Sequence, residues 1–266
     1  MDWLTSLPVG VLIVGWLAFA LLVALGARLA ARALVPAGEH DQVTGVAAPL
    51  MPALGAAFGV LIALTLVGEA GYLKSAQGIV ADEAASASRL AWAATSPGVR
   101  TEPIHAALRG YLRATRATEW QGDAAAEGDP AVAKAIAALE QVVRTEAVRP
   151  ELGTPASTEL LASLDTLTSD RRQRIAAASR QIPALFVVTL VVGGAALVAN
   201  AGALMFRSSL RASLLIGGLA AIVGLSLALL FSLGAPWRGS LVVSGHPLDA
   251  IIHDLQTDYF DSRPSS

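Results

Sequence analysis

The chain has 266 residues, of which 54% are hydrophobic, and its mean hydropathy of +0.58 is too high for an ordinary soluble domain. Its formal net charge is −2, which excludes the basic excess that a nucleic-acid-binding protein uses to neutralise phosphates. It contains no cysteine, which excludes disulfides, thiolate metal sites and cysteine nucleophiles.

Four long stretches of the chain contain no acidic or basic side chain. They lie between Asp2 and Arg28, Asp41 and Glu69, Arg180 and Arg207, and Arg211 and Arg238. Each stretch is longer than the roughly 20 apolar residues that a helix needs to cross a bilayer. We therefore predict four transmembrane helices, near residues 8–27, 46–68, 183–206 and 213–235.

The segment 70–181 differs from the spans, because it carries 13 Lys and Arg and 13 Asp and Glu residues. Stretches rich in Gly and Pro, at 96–103, 121–130 and 149–157, divide it into helices. In one of these, Val132, Ile136, Leu139 and Val143 recur at the spacing of a buried helix face. No breaker follows Glu69 until about residue 93, so the second span is expected to continue as helix beyond its apolar part.

The predicted fold class is therefore all-α, with four transmembrane helices and a helical extramembrane domain inserted between the second and third spans. The expected parts are residues 1–69 with spans one and two, 70–181 as the helical domain, 182–235 with spans three and four, and 236–266 as a tail.

The stretch LRGYLRATRATEW (108–120) predicts a half-buried helix in that domain. Its arginines Arg109, Arg113 and Arg116 form one stripe, opposite an apolar stripe that includes Tyr111. A solvated face balanced by nearby acids is one interpretation of the arginine stripe. An anion-attracting vestibule is the alternative.

Glu119 returns to the apolar face of this helix, where a carboxylate is costly unless it is paired. Arg171 and Arg174, on the last helix of the domain, are the candidate partners. The alternative is a frayed helix end beside Gly122. Trp120 is interpreted as an anchor that packs between helices.

Four stretches carry a resemblance to a known family: DEAASASRL (82–90), LRGYLRATRATEW (108–120), LDTLTSDRRQRIAAASRQIP (164–183) and PWRGSLVVS (236–244). Together they resemble the bacterial bestrophin-like family of multi-pass membrane proteins, a domain of unknown function distantly related to bestrophin anion channels. Trp237 departs from the pattern, which has Phe there. The residues that match the signature are Glu83, Tyr111, Glu119, Trp120, Arg171, Arg174, Pro183, Pro236, Arg238 and Gly239.

No motif for catalysis or cofactor binding is present, since the chain lacks a Walker loop, a nucleophile elbow and an HExxH sequence. We expect no enzymatic activity, no cofactor and no metal. The nearest approach to a metal site is His246, Asp249 and His253 on one face of a helix begun by Pro247. The polar side of an amphipathic helix is the alternative interpretation of these three residues, and it is the one that we adopt.

Two functions are consistent with this pattern. The resemblance implies an oligomeric ion channel, with the lipid bilayer, further copies of the chain and ions as partners. The alternative is a non-conducting membrane scaffold or sensor whose helical domain binds a partner. Small residues such as Gly55 and Gly59 let helices approach closely in lipid, within one chain or between copies.

A pore, if present, is predicted on one face of the second span. That face changes from bulky and apolar to polar, and apolar rings can gate a channel while acidic rings select cations. An ordinary bundle-facing or lipid-facing stripe is the alternative. The candidate pore-lining residues are Phe58, Ile62, Thr65, Leu66 and Glu69.

An even number of spans places both termini and the middle domain on one side of the membrane. Near the span ends this side has six basic residues against four on the other, although the short loops alone favour the opposite orientation. The resemblance also places the domain inside. We therefore expect a cell-membrane protein with a cytoplasmic domain and cytoplasmic termini.

Overall fold

The computed structural model describes residues 8–36, 40–120, 123–180, 182–205, 210–234, 236–237 and 242–261. All regular secondary structure in these residues is helical, as predicted. The helices are α1 (Val9–Leu34), α2 (His40–Ala93), α3 (Thr101–Thr118), α4 (Asp123–Glu127), α5 (Pro130–Ala147), α6 (Thr154–Ala178), α7 (Ala184–Leu204), α8 (Leu210–Leu233) and α9 (His246–Asp254).

Four helices among the described residues are long and apolar enough to cross a membrane, namely α1, α2, α7 and α8. This confirms the prediction of four apolar helices in these parts of the chain. Helix α7 begins at Ala184, directly after Pro183, whose φ of −55° and ψ of 128° place it outside the helix. Since proline has no backbone N–H to donate, it is tolerated at such a helix start.

The second apolar helix is the longest, with 54 residues that continue without interruption to Ala93. It retains Pro49 and Pro52 inside its apolar part, and each proline removes one backbone N–H from the helix. The continuation past Glu69 as helix is confirmed. The expected division between residues 69 and 70 is consequently not marked by any break in the helix.

The chain forms two compact units, and they divide within α2. The first unit comprises Met1–Tyr72 and Gln181–Leu241. In it α1 packs against α7 and α8. Two glycines bring these helices close: a Cβ at Gly202 would lie 2.5 Å from the Ala24 carbonyl oxygen, and one at Gly224 would lie 2.9 Å from that of Trp16.

The second unit comprises Leu73–Arg180 and Val242–Ser266, so the C-terminal segment belongs to it. Helix α3 packs against α5 and α9, while α6 packs against α4 and α5. Helix α5 begins where Asp129 accepts a hydrogen bond from the Ala131 N–H at 2.7 Å, with Pro130 at the first position. The predicted buried face of α5 is confirmed by the complete burial of Val132, Leu139 and Val143.

Candidate functional site

A buried ion-pair network lies at the centre of the second unit, around Arg174 of α6. The Arg174 side chain is completely buried. Its Nε donates to Glu83 Oε2 at 2.6 Å, its Nη2 donates to Glu119 Oε2 at 2.8 Å, and its Nη1 donates to the Glu119 carbonyl oxygen at 3.2 Å. One guanidinium therefore joins α2, which carries Glu83, to the end of α3 and to α6.

Glu119 is also completely buried, and its carboxylate is fully paired. Arg171 donates to it through Nε at 3.2 Å and through Nη2 at 2.5 Å, and the Asp129 N–H donates at 2.8 Å. The predicted pairing of Glu119 is thus confirmed, with both Arg171 and Arg174 rather than one of them. The alternative of an unpaired, frayed helix end is wrong for this residue.

Tyr111 completes the network, because its hydroxyl donates to Glu83 Oε1 at 2.5 Å. Burial raises the pKa of Tyr111 well above its ordinary value, and the neighbouring Glu83 charge adds to this. Burial alone would lower the pKa of Arg174, but the charge of Glu83 and its hydrogen bond outweigh burial and raise it. Tyr111 thus stays a neutral donor and Arg174 a cation.

The network contains two carboxylates and two guanidinium groups, so its formal charges cancel. Each group donates to or accepts from other members, and Arg174, Glu83 and Glu119 have no exposed side-chain surface. An arrangement of this kind fixes the relative positions of helices, because removing one charge would leave another buried without compensation.

Two of the three arginines of the α3 stripe are paired with acids and the third, Arg113, is exposed, in agreement with the solvated-face interpretation. Arg116 pairs with Asp249 and lies over the Trp120 ring, 4.7 Å from its centroid. Arg109 lies 3.6 Å from Glu102. Trp120 is buried, as expected of an anchor, and its Nε1 donates to a backbone carbonyl oxygen 3.2 Å away.

Two further buried carboxylates of the second unit escaped the sequence analysis. The first is Asp170 of α6, whose Oδ2 accepts from Ser86 Oγ of α2 at 2.5 Å. Asp170 is only 9% exposed. This contact gives α2 and α6 a second buried polar link, beside the one between Glu83 and Arg174, and no spacing within either helix indicated it.

The second of these carboxylates is Glu146, near the end of α5. It accepts from the Arg100 N–H and from the Arg100 side chain, each at 2.8 Å, and from the Arg149 side chain. A signal for its burial was available in the sequence. Glu146 lies seven residues after Leu139 and three after Val143, so it continues the buried face of the helix.

The predicted pore-lining residues of α2 are mostly turned towards their own chain. Phe58 and Ile62 are buried in the core of the first unit, and Leu66 packs against the same core. The Thr65 hydroxyl donates to a backbone carbonyl oxygen one turn earlier in the helix, at 2.7 Å. Glu69 is 5% exposed. The bundle-facing alternative therefore describes Phe58 and Ile62 in the single chain, and a role in a pore stays a prediction.

Two of the remaining signature residues, Pro183 and Pro236, lie near the ends of apolar helices. Pro183 directly precedes α7, and Pro236 is buried in a turn. Arg238 and Gly239 lie outside the described residues.

The three residues considered for a metal site do not converge. His246 and His253 are exposed, and Asp249, the carboxylate between them, accepts from Arg116 instead. Among the residues described, no group of three or more His, Asp or Glu is arranged to hold a metal ion.

Four apolar helices in one unit and a charged network in the other fit a multi-pass helical membrane protein. A family model described as "Bestrophin-like domain" matches residues 18–248, which is most of the chain. The protein therefore belongs to the bestrophin-like family, and the resemblance seen in the sequence is confirmed. No curated protein and no solved structure matches the chain.

Proposed function

We propose that the protein is a four-span integral membrane protein of the cell membrane whose copies assemble into a homo-oligomeric ion channel. In this proposal the second unit is an extramembrane helical domain, which lies on the cytoplasmic side together with both termini. The protein has no enzymatic role in it, and its partners are lipid, further copies of the chain and ions.

The observation that supports conduction is the position of Glu69 in the chain. It is the only Asp, Glu, Lys or Arg between Asp41 and Lys74, and it lies directly after the apolar part of α2. A carboxylate at the end of an apolar span is costly, and such residues commonly serve ion or proton pathways. An acidic group at this position favours cations over anions.

Assembly is supported by the outer surface of α2. A Cβ added at Gly55 or Gly59 would meet no atom within 4 Å in the chain. Large apolar side chains beside them, including Val60 and Leu64, are more than half exposed. Small residues on an open, apolar helix face allow another helix to approach closely in lipid.

A second candidate function is a non-conducting scaffold or sensor, and the burial of Phe58 and Ile62 favours it. These side chains lie in one core with residues of α7 and α8, and the Phe58 ring lies close to Gly194, where an added Cβ would be 3.1 Å from it. A face held in the core of its own chain is not free to line a pore between copies.

The orientation is tested by fusing alkaline phosphatase after residue 150, in the loop between α5 and α6. Because the enzyme folds only outside the cytoplasm, a cytoplasmic domain predicts an inactive fusion. A second fusion, after residue 208 between the third and fourth spans, serves as the control and should be active. Activity after residue 150 together with inactivity after residue 208 would invert the topology.

Conduction is tested by measuring the oligomeric state in detergent and then the current across planar bilayers. An oligomer that conducts, with selectivity shifted away from cations by Glu69→Gln, supports the channel. Phe58→Ala and Ile62→Ala should raise conductance, whereas Leu185→Ala, at an exposed position of α7 away from the proposed assembly surface, should leave it unchanged. A monomer, or an oligomer that is electrically silent in both wild-type and Phe58→Ala forms, would leave the scaffold as the better function.

A further inference from the structure

The C-terminal strap, defined as residues 242–261, belongs to the second unit and contacts the rest of it at three places. At the front contact, its first residues meet Arg116 and Trp120 at the end of α3. At the rear contact, its last aromatic residues meet Trp92 and His105. The third contact lies between them, where α9 packs against α3 and Leu248 and Leu255 are buried.

The front contact is centred on the Arg116 guanidinium. Its Nε donates to Asp249 Oδ1 at 2.7 Å and its Nη2 donates to Asp249 Oδ2 at 3.0 Å, a two-point pairing. The same guanidinium lies over the Trp120 ring, which itself donates to the Val243 carbonyl oxygen. Arg116 thereby links the strap to an aromatic side chain that is anchored in the unit.

Gly245 is required for this arrangement. A Cβ at residue 245 would overlap both Cζ and Nη1 of Arg116, so the guanidinium rests directly on the glycine backbone. Any larger residue there has to displace the flexible Arg116 side chain from Trp120 or from Asp249.

The rear contact is aromatic and buried. The Phe260 ring, which is 2% exposed, lies edge-on to Trp92 with 5.1 Å between the ring centroids, and 5.9 Å from the His105 ring. His105 in turn lies with Nε2 3.0 Å from the Ala91 carbonyl oxygen. Tyr259 also meets Trp92, edge-on at 6.1 Å.

The ion pair of the strap differs from the network around Arg174 in its access to water. The side chains of Arg116 and Asp249 are 27% and 48% exposed, whereas those of Arg174 and Glu83 are not exposed at all. Salt screens exposed pairs and scarcely affects buried ones. The front contact of the strap is thus sensitive to salt, whereas its buried apolar contacts and the network around Arg174 are not.

We propose that the C-terminal strap is a releasable segment, which opens from the second unit as one piece while α3, α5 and α6 stay folded, with Arg116–Asp249 as its closing ion pair. Segments of a folded protein open as separate cooperative units when their opening costs less free energy than global unfolding. Opening uncovers Trp92, His105 and Trp120 beside Arg116, a surface suited to an amphipathic helix that carries a carboxylate, as the strap does. This inference does not depend on conduction.

Hydrogen–deuterium exchange of the full-length protein in detergent tests the proposal. Asp249→Asn should speed exchange of the strap amides by about twofold to fivefold, because exposed ion pairs contribute little. Raising KCl from about 0.05 M to about 0.5 M should do the same in the wild type and have no effect in Asp249→Asn. Amides of α3 and α6 should not change. Arg113→Gln, which replaces an exposed arginine one turn from Arg116, is the matched control and should behave like the wild type.

Gly245→Ala provides an independent arm, because it displaces Arg116 without altering any charge. It should accelerate strap exchange and weaken the salt dependence, again without affecting α6. The proposal is overturned if strap amides exchange as slowly as those of α6 in all forms, or if they accelerate only together with those of α3 and α6. Either result would make the strap an integral part of the core of the unit.

Discussion

Replacing Arg174 by Met tests the energetic role of the buried network most directly. The substitution keeps a long side chain but removes the donors that reach Glu83 at 2.6 Å and Glu119 at 2.8 Å. Glu119 would keep Arg171 and the Asp129 N–H. Glu83 would keep the Tyr111 hydroxyl alone among its described donors, so one fully buried carboxylate loses its counter-charge.

The expected cost follows from this difference between the two carboxylates. Breaking a buried pair and leaving one charge uncompensated costs about 3–5 kcal/mol. Since Glu119 stays paired, we expect a loss of about 4 kcal/mol for Arg174→Met, from Glu83 alone. Adding Glu83→Gln removes the stranded charge, and the double variant should recover about half of the loss or more.

The free energy of opening is measured by hydrogen exchange of α3 and α6 amides in the full-length protein in detergent. Arg172→Met, at an exposed neighbouring position, is the control and should change stability by no more than about 0.5 kcal/mol. A loss below about 1 kcal/mol for Arg174→Met, or no recovery in the double variant, would show that a buried, uncompensated carboxylate does not dominate the cost.

Two further outcomes are expected. First, Glu146 should make stability depend on pH. Burial would raise its pKa, but hydrogen bonds from Arg100 and Arg149 outweigh burial and lower the pKa below its ordinary 4.5. The stability that Glu146 contributes is therefore complete above pH 4.5 and is lost as the pH falls through the lower pKa of the folded state. Between about pH 5 and about pH 3, the free energy of unfolding of Glu146→Gln should accordingly depend less steeply on pH than that of the wild type. Equal slopes for the two proteins would contradict the pairing. Second, Gly202→Ala should lower the free energy of unfolding of the first unit by about 1–3 kcal/mol, and with it the melting temperature. The reason is that its Cβ would lie 2.5 Å from the carbonyl oxygen of Ala24. Gly193→Ala is the control and should leave the melting temperature unchanged, because a Cβ there meets nothing within 4 Å. Similar melting temperatures for the two variants would count against close packing of α1 and α7.

Several features of the fold follow from the order of residues in the chain. Stretches of more than 20 residues without charge indicate spans, because a bilayer core tolerates few other segments. The partners of Glu119 were predictable for a similar reason: a carboxylate on the apolar face of a helix has to be paired, and Arg171 and Arg174 lie one turn apart on another helix.

The role of Glu83 was less accessible. Its partner Arg174 lies 91 residues away in the chain, and no local periodicity connects two such positions. The resemblance alone singled out Glu83, without indicating what it binds. The docking of the strap had no sequence signal either, since Gly245 becomes a requirement only when Arg116 is packed against it.

The side of each span that faces inward depends on how the helices pack. A span that is apolar all round has no polar face to orient it, because lipid and protein core are equally suited to Phe58, Ile62 or Leu64. Packing against α7 and α8 turned Phe58 and Ile62 inward and left Leu64 exposed.

The number of apolar helices and the need to pair buried charges could be predicted from the residues alone, since both follow from the cost of removing charge from water. Which charges meet, and which apolar residues face inward, depends on contacts between helices distant in the chain.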